Sequence, residues 1–490
     1  MADTETENGK MYNEAFQAYY VNKDYDKAFS MLTQLAEEED YFNFAKYHLY
    51  LLYIKGNGTK KNLQKGIELL EQLVEQDDPL AQEAIAKHYY FGFQHFKQDF
   101  KKAIHYYELS ANQGFCLAQA ALGSIYHDGI DGVPIDYDLA FKWWKHASEQ
   151  KLAFAQSSLG TMYARGLGTS KDEKEAARLF KLAAEQGDIE GQRFLANCYR
   201  QGSGVEKNIS EAIRLYRKIS EKADIANYFL GEIYSENQDY KEAVKWFKLA
   251  AEKGHVSSQF HLAWFYETGN GVTQDKVEAF RLCKRAAEAG LSIAQFQLGR
   301  FFAQGIGTDI NPKETFKWTK LAAEQGLLDA QMQLAYLYDS GYGADLNYKE
   351  CFKWTKIVAE QGDVHASYLV GSFLIRGKGT VKNIEEGVNW LNSSAQKGST
   401  DAMLELGSIF ASGCEVSKNL KEAFNWYKLG AENLNVGCQL TLGAMYLEGM
   451  GVQKDCIAAL MWFLIAEKYY QHDALIALLE QRTMLDENNE

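Results

Sequence analysis

Proline is nearly absent: 490 residues contain three, Pro79, Pro134 and Pro312, so helical stretches run unbroken. Cysteine is scarce and unpatterned. The seven (Cys116, Cys198, Cys283, Cys351, Cys414, Cys438 and Cys456) are odd in number and lack C-x-x-C spacing. That argues against a zinc site or a ladder of disulfides and leaves reduced, mostly buried thiols. Positive charge is short as well: 52 Lys and Arg face 66 Asp and Glu, a net charge of -14, which disfavours nucleic acid or an anionic membrane as the main partner. The most apolar run, Cys456 to Ala466, has about eleven residues where a spanning helix needs about twenty. It reads as a buried helix, and no integral membrane segment is expected. Met1 to Lys10 is acidic and polar with no apolar stretch behind a positive segment, so no secretory signal and a cytoplasmic location are expected.

What the chain has in abundance is repetition. At 490 residues it is too long for one core, and 46% hydrophobic with 24% charged residues describes a fully folded chain. Units opening at Ala294, Ala330, Ala366 and Ala402 stand 36 residues apart and share the form A-x-x-x-[LV]-[GA]-x-x-[YFL]-x-x-G-x-G, with Glu415 replacing the last glycine of the fourth. Each continues into a short polar stretch and a second apolar-periodic segment. In the first segment, small or apolar residues at offsets 0, 4, 5 and 8 (Ala155, Leu159, Gly160, Tyr163) share one helical face. The second (Ala176, Leu179, Phe180, Ala183, Ala184) does the same. These are helix A and helix B of an all-α, helix-turn-helix array that buries its core repeat by repeat. Gly or Ala at the fifth offset of helix A removes bulk where helix B crosses.

The register rests on a short polar residue four positions before the buried face of helix B: Asp24, Asn62, Asp99, Asp136, Asp172, Asn208, Asp239, Asp275, Asn311, Asn347, Asn383, Asn419 and Asp455. Asp and Asn accept hydrogen bonds from the free N–H groups of a first helical turn, so the spacing predicts thirteen capped B helices. Pro312 follows Asn311 at the first helical position, where a missing N–H is harmless. Glycines 114, 187, 254, 290, 326, 362 and 398 are expected as left-handed ends of helix B.

The consensus A-x-x-x-L-G-x-x-Y-x-x-G-x-G-V-x-x-[DN]-x-x-x-A-x-x-W-[YF]-x-x-A-A-x-x-G resembles the Sel-one-like repeat, a relative of the tetratricopeptide repeat with a longer A–B loop. Leu159-Gly160, Tyr163, Gly166, Gly168 and Ala183 to Gly187 carry the likeness, with Trp246-Phe247, Trp426-Tyr427 and Trp462-Phe463 in the aromatic slot of helix B. The resemblance implies a right-handed superhelical α-solenoid of about thirteen helix-turn-helix repeats. The expected organisation is a disordered N-terminus (1–10), a tetratricopeptide-like capping pair (11–42), tandem Sel-one-like repeats (43–470), a C-terminal capping helix (471–485) and a tail (486–490). Residues 226–254 form a shortened unit, whose cap Asp239 follows Asn208 by 31 residues. The cysteine pair per repeat of the family's secreted members is missing, so their disulfide-stapled reading does not carry over.

No residue stands out as catalytic. The Gly-x-Gly loops recur with the repeat, follow no strand and never fit a phosphate-binding loop. Ten histidines show no metal-binding or H-E-x-x-H spacing, and no G-x-S-x-G elbow occurs. No cofactor is expected. The resemblance implies adaptor or scaffold work through other proteins or peptides; the alternatives are an accessory or immunity-type subunit controlling one enzyme or toxin, and an enzyme or small-molecule binder. The oligomeric state is left open. Aligned with the tetratricopeptide pattern, groove-facing positions of helix A fall at offsets 2, 6 and 9. These give Phe260, Trp264 and Glu267; Phe296, Arg300 and Ala303; Met332, Tyr336 and Asp339; Tyr368, Ser372 and Ile375. The candidate partner-binding residues are Phe260, Trp264, Phe296, Arg300, Met332, Tyr336 and Tyr368, centred on Trp264, Arg300 and Tyr336; the competing reading packs offset 2 between adjacent A helices.

Overall fold

Repeat 153–188 shows how the sequence becomes structure. Helix A, Ala153–Arg165, buries Ala155, Leu159, Gly160 and Met162. Helix B, Glu173–Glu185, buries Ala176, Leu179, Phe180, Ala183 and Ala184. The Cβ that Gly160 lacks would lie 2.7 Å from the Phe180 ring, so the missing side chain lets B cross A closely. The same fit recurs where Gly407 lies under Tyr427 and Gly443 under Phe463. A computed structural model describes residues 7–38, 42–93, 96–414 and 416–469, and in each of its two compact units such hairpins stack on one another as an α-solenoid. The described residues hold twenty-six α-helices and a π-helical segment, Gln17–Asn22. Residues 1–233 and 234–490 are two compact units.

All thirteen expected caps accept a backbone N–H at the start of their B helix; Asp172 takes Lys174 and Glu175, and Asp455 takes Ile457 and Ala458. The cap has a second job that its position in the sequence does not reveal. Its own N–H donates to the carbonyl of the offset-8 residue of helix A, as Asp172 does to Tyr163 (2.9 Å) and Asn347 to Tyr338 (2.9 Å). One residue therefore closes both helices of the hairpin.

The Gly-x-Gly loop joins one repeat to the next. A Cβ on Gly307 (φ +66) would overlap the carbonyl oxygen of Lys276, the first residue of the preceding B helix, Lys276–Glu288. Gly168, Gly343 and Gly379 sit equally close on Tyr137, Pro312 and Tyr348. A second join is a buried glutamine one position after the opening small residue. Gln331 donates to Ala323 O (3.2 Å) at the end of the preceding B helix and accepts from Gln361 (2.9 Å) at the end of its own. Gln119, with Ala111 O and Gln150, and Gln295, with Ala287 O and Gln325, repeat the pattern.

Two expectations are corrected. Helix Glu7–Phe16 takes in residues 7–10, placed by the sequence in a disordered end; Gly9 is buried and Glu7 lies in the first turn, where a carboxylate suits the helix dipole. Helix Cys456–Tyr469 is not buried all round: Ala459 and Ala466 face inward, while Ile457, Leu460, Met461 and Leu464 are exposed because no described residue packs on that side. The expected capping helix (471–485), the tail (486–490) and Glu415 lie outside the described residues. All seven cysteines are free; Cys198, Cys283, Cys351 and Cys438 are buried, and burial pushes the Cys283 thiol up to about 12.

Two histidines are built into the first repeats as neutral rings. His48 Nδ1 donates to Phe44 O (2.8 Å), which leaves Nε2 to accept from the Tyr20 hydroxyl (2.7 Å). His88 Nε2 meets the Tyr50 hydroxyl at 2.7 Å, and its buried Nδ1 has no hydrogen-bond partner among the described residues. Burial holds both rings below the usual histidine range.

Two predictions follow from these contacts. Gly326 (φ +89) has open space where a Cβ would go, so Gly326→Ala carries only the left-handed backbone penalty, about 1 kcal/mol. Gly307→Ala adds a backbone clash and should cost about 3 kcal/mol. Leu434, left-handed at φ 67 in the slot that Gly326 fills in its repeat, should gain from Leu434→Gly. Urea unfolding should rank the three variants, from most to least stable, as Leu434→Gly, Gly326→Ala and Gly307→Ala. The second prediction is a pH slope. With folded pKa values below the unfolded value of about 6.5, the histidines' contribution is complete above that value and is lost as the unfolded state takes up protons below it. The melting temperature should drop between pH 7.5 and 5.5, and less so in His48→Gln/His88→Gln.

Candidate interaction surface

Once offsets 0, 1, 4, 5, 7 and 8 are committed to packing, helix A has offsets 2, 3, 6, 9 and 10 left to meet a ligand. The candidate residues occupy three kinds of place. Phe260, at offset 2 of helix Val256–Thr268, is half-buried with its ring against His261. Phe296 packs on the Ala322, Ala323, Ala330 and Leu334 cluster, Met332 on Val358, Ala366 and Val370, and Tyr368 on Leu391, Ala402 and Leu406. These three therefore join successive hairpins and are only partly available to a partner.

Offset 6 is open at Trp264 and Tyr336, which are 41% and 42% exposed. Trp264 is held edge-on by Phe265, with ring centroids 4.9 Å apart. The Tyr336 hydroxyl lies 3.0 Å from His365 Nε2 on the next A helix, Val364–Arg376. Burial, then the charge of Asp363, raises the Tyr336 phenol above its ordinary range, so it stays neutral. Arg300, on helix Ser292–Gln304 between them, is about one-third exposed and is not a free cation. It forms an ion pair with Glu267 of the preceding A helix, Val256–Thr268, and bonds Gln304 at 3.1 Å. Gln297 holds the other Glu267 oxygen at 3.1 Å.

The remaining candidates split. Ala303 and Asp339 border a cleft of about 520 Å³ between helices Ser292–Gln304 and Leu328–Ser340, with Gln333, Tyr336, Leu337 and Tyr342. Asp339 pairs across repeats with Lys378 (2.5 Å). Ser372 and Ile375 are buried; the Ser372 hydroxyl donates to Glu405 (3.1 Å), which also pairs with Arg376 (3.1 Å). The face thus combines two open aromatic rings, a cleft of mixed polar and apolar lining and a series of ion pairs that each bridge neighbouring hairpins. Sequence reasoning missed those bridging carboxylates, Glu267 and Glu405, as partners of Arg300 and Arg376; their signal is opposite charge one repeat apart on the same helical face.

Among the described residues, no group of three or more His, Cys, Asp or Glu is placed to hold a metal ion, and no helix is long and apolar enough to cross a membrane.

The Sel1 repeat family model matches thirteen segments: 9–40, 45–78, 79–115, 116–152, 153–188, 189–224, 225–255, 256–291, 292–327, 328–363, 364–399, 400–433 and 437–468. Among curated proteins no relative matches. Among solved structures, the chain is similar to c5321 of uropathogenic Escherichia coli, described as a protective antigen displaying an SLR fold. The identity is 33% and the TM-score 0.58, over 86% of this chain and 90% of that one. It is also similar to a Sel1 repeat protein from Oxalobacter formigenes, with 34% identity and a TM-score of 0.40 over 49% of this chain and 98% of that one. With thirteen matched repeats along a stack of helical hairpins, the chain belongs to the Sel1 repeat family.

Proposed function

We propose that the chain is a non-enzymatic scaffold that binds partner proteins or peptides along its A-helix face, with Trp264, Arg300 and Tyr336 as the anchoring side chains. The observation that carries this reading is the exposure of two large aromatic rings, Trp264 and Tyr336, on A helices two repeats apart, with Tyr336 at the edge of a cleft lined by both polar and apolar groups. Aromatic and Arg side chains dominate interface energetics because they bury large area and lose little rotamer freedom. Phe260, Phe296, Met332 and Tyr368 lie behind these anchors and set the floor on which a ligand rests. The ion pair with Glu267 holds the Arg300 guanidinium in one orientation, which suits a backbone carbonyl or a carboxylate of the ligand. Seven unpaired thiols fit work in a reducing compartment, and we place the protein in the cytosol.

The test is the triple variant Trp264→Ala/Arg300→Ala/Tyr336→Ala. Capture of native partners should weaken by about tenfold or more in a variant that still unfolds cooperatively, with the melting temperature lowered by a few degrees because the Arg300–Glu267 and Tyr336–His365 links between hairpins are lost. Capture at the wild-type level by a folded variant would place the binding surface elsewhere.

A further inference from the structure

On the A-helix face of residues 1–233, a cleft of about 320 Å³ is lined by helices Ala153–Arg165 and Ile189–Gln201. Thr161 and Arg165 border it from the first helix and Asn197 from the second, while Ala164, Phe180 and Phe194 give it an apolar wall. Phe180 and Phe194 are stacked, with ring centroids 4.9 Å apart. The acid in the cleft, Glu173, is held by Lys171 at 2.6 Å. Arg165 is exposed at the end of its helix and has no ionic or hydrogen-bond partner among the described residues. An exposed arginine alone says nothing about a ligand, but its counterpart six repeats on does. Arg376 and Ser372 stand at offsets 10 and 6 of helix Val364–Arg376, as Arg165 and Thr161 do of theirs. There the chain supplies its own carboxylate. Glu405, at offset 3 of the next A helix, accepts from the Ser372 hydroxyl (3.1 Å) and from the Arg376 guanidinium (3.1 Å). The offset-3 residue that follows Arg165 is Phe194. The hydroxyl and the guanidinium thus recur without their acid, and Thr161 donates back to Ser157 O instead (3.0 Å).

We propose that this cleft binds a glutamate side chain of a partner peptide, whose carboxylate takes beside Arg165 and Thr161 the place that Glu405 takes beside Arg376 and Ser372. Asn197 adds a further donor: its oxygen accepts from the Tyr216 hydroxyl (2.6 Å), which leaves the amide N–H groups for the ligand. The apolar wall keeps water from one side of the ion pair and strengthens it, since a charge-assisted bond gains as the local dielectric falls. The chain's net charge of -14 opposes an acidic ligand at long range. Recognition is therefore local, and one glutamate among neutral residues fits better than an acidic run. The inference rests on the reading of the A face as a peptide-binding surface, at a site that shares no residue with Trp264, Arg300 and Tyr336.

The experiment uses the full chain carrying Trp264→Ala/Arg300→Ala/Tyr336→Ala, which removes the anchors proposed above, so that a failure at this cleft is read separately from a failure there. The probes are two arrays of short random peptides, one with amidated and one with free C-termini. On both, peptides with a single internal glutamate should be enriched. Adding Arg165→Gln should weaken the best of them by about tenfold with a nearly unchanged melt, because Arg165 is exposed and unpaired. Adding Arg165→Glu should turn the preference from glutamate to Lys or Arg. No preference for glutamate, or one that Arg165→Glu leaves intact, overturns the proposal. Binding confined to free C-termini overturns it too, and makes a terminal carboxylate the ligand.

Discussion

The structure depends on one residue per repeat making three hydrogen bonds. The Asp or Asn before helix B accepts a first-turn N–H on its side chain, donates its own N–H to the end of helix A, and accepts the first helical bond on its carbonyl. At Asn311 these are Glu314 N to Oδ1 (3.2 Å), Asn311 N to Phe302 O (2.9 Å) and Thr315 N to Asn311 O (3.0 Å). Ser or Thr can cap a helix too, but an Asx side chain suits a residue whose backbone is extended and tied at both ends. Fixing that residue fixes the span of the A–B loop. The loop then delivers its second glycine to the carbonyl of the preceding B helix, so the cap inside one hairpin sets where that hairpin rests on its neighbour. In the shortened unit Asp239 still caps and still bonds Tyr234 O (2.9 Å), although no glycine loop is present, so closing the hairpin and docking it are separable.

Because each hairpin contacts its neighbours almost exclusively, stability is shared between adjacent repeats rather than collected in one core. The glutamine series shows how polar groups enter that seam safely. A buried primary amide has two donors and an acceptor to satisfy; Gln331 places one N–H on the preceding hairpin and its oxygen on its own C-cap glutamine. Gln439 does the first and not the second: its oxygen is buried without a hydrogen-bond partner among the described residues.

The sequence was legible where one residue type serves one geometric need. Caps, left-handed glycines and the small residue under helix B recur because little else fits, and all appear where the periodicity puts them. The glutamine seam recurs just as regularly, yet a polar residue next to a helix's buried stripe looks like surface until its partners are known. Offset 2 was ambiguous for a related reason: Phe296, Met332 and Tyr368 lie at the border between face and seam, and only the position of the next hairpin decides how much of each ring stays open. Helix Cys456–Tyr469 was misjudged because composition reports how apolar a helix is and not which neighbours exist to cover it.

The A-face reading also constrains what a ligand must look like. Neighbouring helices pack at roughly 10 Å, and an extended chain advances about 3.3 Å per residue, so anchors on successive A helices correspond to ligand positions about three residues apart. Trp264, Arg300 and Tyr336 then read three points along some seven residues of extended chain. An α-helix advances only about 1.5 Å per residue, so it would need about seven residues between contacts and some fourteen in all. The Arg300–Glu267 pair favours the extended ligand. A strand exposes backbone carbonyls that the guanidinium can hold while it keeps its carboxylate, whereas a helix has its carbonyls already bonded and offers mainly side chains.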